Sequence, residues 1–183
     1  MSKGLSNKLA GQIGEYLVCA ELGRRGLIAT PFSGNVPTFD VLATDEQCRT
    51  IPIQVKASRS NSWRSDARLW MKIEFDAVTK TQQYLGPLQI HNPELIHVCV
   101  SIAPLGEGRD RFFILKKSDL QQICINLYSY WMNGHDWRRP RTPDSYDCRY
   151  TIHSLQAFEN NWQLIETRFA MSNPDQALFS SGE

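Results

Sequence analysis

Residues 50–57, TIPIQVKA, are the stretch that most restricts what the chain can become. Successive side chains of a β-strand point to opposite faces, so Ile51, Ile53 and Val55 fall on one side and Gln54 and Lys56 on the other. A strand with one apolar face has to be covered by another layer, which commits the chain to a sheet packed on a core. The preceding segment TFDVLAT, residues 38–44, reads as a second strand, and the polar residues 45–49 as the hairpin between them. Such a hairpin lets Asp40, Gln54 and Lys56 converge.

The remaining elements follow from periodicity and punctuation. Leu9, Ile13, Leu17, Ala20 and Leu22 recur at helical spacing and predict a helix over residues 7–26, with Asn7 as its cap and Gly26 at its C′ position. A short strand over residues 27–31 and a Ser-Gly-Asn-Val-Pro loop come next. Residues 58–68 read as a loop. LWMKIEF is either a strand or a helix start, and AVTKTQQYL can finish as a helix. Residues 95–103 and 111–117 are strands joined by a turn, followed by a helix from a Ser118 cap through residue 133. Residues 133–150 are polar and carry two prolines, which reads as a long loop; a last strand entry and a helix close the chain. The order gives an α/β (α+β) class with a mixed sheet rather than regular βαβ alternation, in one domain over residues 1–170 with a tail at 171–183.

Composition narrows the function classes. The chain has 183 residues, 42% of them hydrophobic, enough for a buried core. No run approaches the roughly 20 apolar residues of a membrane-spanning helix, and the opening lacks a signal-peptide centre, so a cytoplasmic protein without membrane contact is expected. Five cysteines without a CxxC pair suit reduced thiols better than a disulfide framework or a zinc knuckle. A net charge of +1 leaves any nucleic-acid contact to local patches. There is no GxxxxGK[ST] or GxGxxG segment, so no nucleotide cofactor is expected.

Three places carry chemistry: Glu15 in GQIGEYL of the first helix, Asp40 opening a strand, and Gln54 with Lys56. A carboxylate, an amide oxygen and the Val55 carbonyl are hard oxygen donors of the kind Mg²⁺ takes, and a lysine beside such a cation can orient water or stabilise developing phosphorane charge. In order and type, these residues resemble the PD-(D/E)XK nuclease superfamily, and are most similar to Holliday junction resolvase-like and homing-type endonucleases. The resemblance covers residues 9–58, with weaker support to about residue 117. It implies a restriction-endonuclease-like central mixed sheet flanked by helices and Mg²⁺- or Mn²⁺-dependent hydrolysis of DNA. Glu15 matches the helix acid, Asp40 the first motif acid, Gln54 the second, and Lys56 the motif lysine. Metal ligation then falls to Asp40, Gln54, Val55 and Glu15. Gln54 departs from the usual Asp or Glu, which removes one negative charge from the site and weakens cation binding. By analogy with junction resolvases, a homodimer is the expected assembly.

Beyond the motif, Ser58, Arg59, Trp63, Arg64 and Arg68 form a basic and aromatic stretch. It either grips phosphates with an aromatic stacked on an unpaired base, or is a solvated loop whose tryptophans turn inward. His97 lies in an apolar strand and reads as a packed core residue. Two other functions are compatible with the sequence. One is a catalytically weak or inactive nucleic-acid- or partner-binding module on the same fold, favoured by Gln54. The other is an interaction protein using the aromatic and arginine-rich second half around Trp131, Trp137, Tyr146 and Tyr150.

Overall fold

A computed structural model describes residues 3–32 and 38–171. The SGNVP loop, and all of the expected tail except Met171, lie outside the described residues. The chain packs as two compact units. One comprises the chain up to Arg59 with Leu95–Leu115 and the residues from Phe158 onward; the other comprises Ser60–Glu94 and Lys116–Ala157.

The first unit is built on a five-stranded sheet in the order β1-β2-β3-β7-β8. Its strands are β1 (Ile28–Pro31), β2 (Val41–Thr44), β3 (Thr50–Ser58), β7 (Ile96–Ser101) and β8 (Arg111–Lys116). β1, β2 and β3 are successively antiparallel, whereas β3 and β7 run parallel with Ile53 opposite Ile96 and Val55 opposite Val98. A parallel pair requires a long crossover, and the whole of Ser60–Glu94 is spent between these two strands. The expected alternation of β3 holds: Ile51, Ile53 and Val55 are buried. Ile96, Val98 and Val100 continue that apolar face, which α1 (Lys3–Arg24) covers with Val18 and Leu22 and α3 (Gln163–Met171) with Ile165 and Phe169.

α1 begins earlier than the sequence suggests, so Asn7 lies inside it rather than at its cap. Its end is as expected. Gly26 has φ 79°, its N–H bonds to the Gly23 carbonyl, and the Leu27 N–H bonds back to Leu22, the paired closure that a left-handed C′ glycine permits. β7 is buried at every position, His97 included. No helix among the described residues is long and apolar enough to cross a membrane.

The second unit corrects three expectations. Residues 58–68 are not a loop throughout, because Ser62–Asp66 form β4, antiparallel to β9 (Asp147–Thr151), whose first four residues fall in the expected long loop. The AVTKTQQYL segment is not helical. β5 (Met71–Asp76) and β6 (Thr81–Pro87) form an antiparallel ribbon whose turn is set by Asp76 accepting from the Val78 and Thr79 N–H groups and by Lys80 at φ 58°. Ser118 is not the cap of α2 (Lys117–Asn133); the Asp119 carboxylate takes the Lys116 N–H at 3.0 Å instead.

Gln82, 3% exposed, ties this unit together. Its Nε2 donates to the carbonyls of Pro143 (2.7 Å) and Ser145 (3.0 Å), and its Oε1 accepts from the Tyr128 hydroxyl at 2.6 Å. Removing that amide takes the donor from the Pro143 carbonyl and the nearer acceptor from the Tyr128 hydroxyl, which keeps a longer bond to the Ser145 carbonyl at 3.3 Å. Gln82→Ala is therefore expected to cost about 2–4 kcal/mol, read as a lower denaturation midpoint; a variant within about 0.5 kcal/mol of the parent would contradict this role.

Candidate active site

β2 and β3 are joined through residues 45–49, whose turn is closed by Asp45 Oδ1 accepting from the Gln47 and Arg49 N–H groups, both at 3.0 Å. That closure sets the register Val41 opposite Ile53. One step further along the same ladder, Asp40 faces Gln54. The Asp40 N–H bonds to the Ile53 carbonyl (2.9 Å), the Asp40 carbonyl accepts from Phe32 (2.9 Å), and its carboxylate takes over where the strand pairing ends. Asp40 Oδ2 accepts from the Val55 N–H at 2.8 Å and from Gln54 Nε2. Hairpin register thus brings Asp40 and Gln54 together, with Lys56 two residues on along the same face of β3.

Glu15 arrives from the helix. Gly14 packs directly on β3, so closely that a Cβ there would sit 2.4 Å from Ala57 Cβ and 3.5 Å from Val55 Cγ1. Only a residue without a side chain lets α1 approach this far, and Glu15 is its immediate neighbour. Burial, and then repulsion from the Asp40 carboxylate, push the Glu15 carboxyl above the ordinary glutamate value. One turn on, the Cys19 thiol is pushed up by burial and by Glu15. The two carboxylates of the site therefore share one neighbourhood.

A raised acid holds its proton in the folded state over a pH range where the unfolded chain has lost it, so stability falls as pH rises through that range. Glu15→Gln is accordingly expected to be more stable than the parent above about pH 4.3, the ordinary glutamate value, with the gap widening as pH rises through the raised value and closing below it. Thermal midpoints of the two proteins across pH check this. A gap that is constant with pH would contradict the raised Glu15 carboxyl that burial, and then Asp40, produce.

Glu15, Asp40, Gln54 and the Val55 carbonyl are the groups that can hold a cation, and all offer oxygen. Among the described residues both hydrogen bonds to the Asp40 carboxylate fall on Oδ2, which leaves Oδ1 to offer its lone pairs. Turning the Gln54 amide about its last torsion exchanges Nε2 for Oε1. Mutual repulsion of Glu15 and Asp40 is the electrostatic condition that a cation relieves. This donor set suits a hard divalent ion. No group of three or more His, Cys, Asp or Glu side chains gathers for a metal among the described residues.

The other residues singled out in the sequence separate. Ser58 closes β3 and Arg59 follows it, both in the first unit, whereas Trp63, Arg64 and Arg68 belong to the second. Trp63 is 5% exposed and stacked on Tyr150 at 5.6 Å between centroids, so the inward-turned alternative describes it and base stacking does not. Arg68 is engaged by Asp66 at 2.6 Å and lies over the Tyr146 ring. Sequence reasoning missed Gly14 and Ala57. The available signal was a glycine in mid-helix, where it costs stability, directly before the helix acid.

The chain has a mixed α/β fold: a mixed sheet flanked by helices, with an acid-bearing helix against the β2–β3 hairpin. Among solved structures it is similar to a bacterial homing endonuclease, I-Ssp6803I, with a TM-score of 0.51 over 91% of this chain and 97% of that one, at 12% sequence identity. No protein-family model matches the chain, and no curated protein matches it.

Proposed function

We propose that the protein is a metal-dependent endonuclease that hydrolyses DNA phosphodiester bonds. The observation that carries this reading is the meeting of Asp40 with Gln54 and Val55 at the head of the β2–β3 hairpin, with Glu15 delivered beside them by α1. Its occurrence on a fold similar to a bacterial homing endonuclease supports it. Asp40, Gln54 and the Val55 carbonyl would hold Mg²⁺ or Mn²⁺, with Glu15 acting through a water or a further ligand position. The ion supplies Lewis-acid polarisation of the phosphoryl oxygens and a more acidic water. Lys56 shares the Gln54 face of β3, where its side chain orients the attacking water or offsets charge developing on phosphorus. Matching of these positions to the PD-(D/E)XK motif, with glutamine at the second acid, belongs to the same proposal, as does a homodimer offering one site per strand.

One observation favours a second reading, a weak or inactive binding module on this fold. One Gln54 amide N–H is donated to Asp40, and a neutral ligand leaves the ion two carboxylates among the described residues, Glu15 and Asp40. Calorimetric titration with Mn²⁺ separates the two. The nuclease reading expects heat of binding in the parent that Asp40→Asn removes. Absence of heat in the parent, with DNA still retained, would install the binding module instead.

A further inference from the structure

The β4–β9 ribbon of the second unit has two unlike faces. Trp63 lies opposite Tyr150 and Ser65 opposite Cys148; Trp63, Tyr150 and Cys148 are buried. On the outward face Arg64 lies directly opposite Arg149. Side chains in that relation have Cβ atoms about 5 Å apart, and like charges so placed oppose the pairing. An outward pair of arginines in register is thus a local cost that nothing in the strand pairing requires.

The surrounding groups offset it only in part. Arg64 is 68% exposed, and its carboxylate contact is Asp147 at 3.9 Å, the limit of an ion pair. Arg149 has no carboxylate partner among the described residues. Asp66 is taken by Arg68. Beside Arg149 opens a cavity of about 430 Å³ lined also by Tyr130, Trp131, Arg139 and Asp147. Arg139 is held there by the Ser145 and Asp147 carbonyls at 2.9 and 3.0 Å, with its guanidinium 4.8 Å from the Trp131 ring centroid. Asp66, Asp144 and Asp147 lie near Arg64, so Arg149 is the member of the pair without a carboxylate partner among the described residues, and two guanidinium forks projecting from adjacent strands match the tetrahedral oxygens of a phosphate group.

We infer that Arg64 and Arg149 form a phosphate clamp on the outward face of the β4–β9 ribbon, with the DNA backbone as its occupant. The choice of DNA rests on the nuclease reading; the clamp itself rests on the cross-strand arginines. Free phosphate has the same chemistry, so the experiment carries an arm for each source.

The test uses the full-length protein with Lys56→Ala, so that DNA is bound without being cut. Binding of a fluorescein-labelled DNA duplex is followed against KCl concentration, with and without Arg149→Ala. In parallel, thermal midpoints are measured with inorganic phosphate at constant ionic strength. Loss of Arg149 is expected to weaken duplex binding about tenfold and to lower the salt slope by about one. It is also expected to raise the midpoint of the unliganded protein, because the opposed charges are relieved. Equal affinity and slope in the two proteins would overturn the DNA clamp while leaving the nuclease reading intact. If duplex is not bound but phosphate raises the midpoint only when Arg149 is present, the clamp stands with free phosphate as occupant. If neither duplex nor phosphate responds, the clamp is overturned. Cleavage by the protein retaining Lys56 then decides the nuclease reading separately.

Discussion

Asp40→Asn is expected to reduce Mg²⁺-dependent cleavage of plasmid DNA by about 10³-fold or more while leaving the protein folded. The two halves of this expectation have different causes. In the structure the Asp40 carboxylate accepts from the Val55 N–H at 2.8 Å and from Gln54. Both fall on Oδ2, so an asparagine oxygen in that place can accept the same two bonds and keep the hairpin head together. What the amide cannot keep is the negative charge, in a site where Gln54 already contributes none. With Asp40 neutralised, Glu15 is the last carboxylate, and its own titration should then move back toward the ordinary range because its repulsive neighbour is gone. Cleavage at the parent rate by a folded Asp40→Asn protein would remove Asp40 from the chemistry.

The second large effect is expected at a residue with no chemistry. Judged as a helix position, Gly14→Ala should stabilise α1 by up to about 1 kcal/mol, since glycine costs backbone entropy in a helix. Packing argues the reverse, because the new methyl would lie 2.4 Å from Ala57 Cβ, and both atoms sit on backbone rather than on flexible side chains. Overpacking of this kind typically costs about 1–3 kcal/mol, so the clash wins and the variant is less stable. It also moves Glu15 away from Asp40, so cleavage falls with stability. Ala57→Gly removes the atom that is struck, and the next contacts, at 3.5 and 3.6 Å, are tolerable. The double variant should therefore be more stable than the sum of the single changes allows, by about 1 kcal/mol or more, and should regain cleavage. Additive losses would show that α1 does not rest on Ala57.

Both results bear on what was legible in the sequence. The β2–β3 hairpin was, because period-two alternation around Ile51, Ile53 and Val55 reports burial directly, and the polar residues between the strands mark the turn. Asp40 could be placed beside Gln54 for the same reason. The Gly14–Ala57 contact was not legible. It joins positions far apart in the chain, and a helical glycine looks the same whether it faces a strand or water. Strands β4 and β9 were hidden similarly: Ser62–Asp66 has two charged residues in five and no apolar alternation, and becomes a strand only through its pairing with Asp147–Thr151. Trp63 illustrates the limit for binding surfaces. Composition put it among basic residues, but its stacking on Tyr150 is a property of that long-range pairing.

The most direct test of the account is cleavage of plasmid, linear duplex, four-way junction and single-stranded DNA with Mg²⁺ or Mn²⁺, run beside Lys56→Ala. The account expects the parent to cut at least one of these substrates, metal to be required, and Lys56→Ala to leave that substrate intact. Cutting that survives in Lys56→Ala, or a parent protein that leaves every substrate whole with either metal, would contradict it.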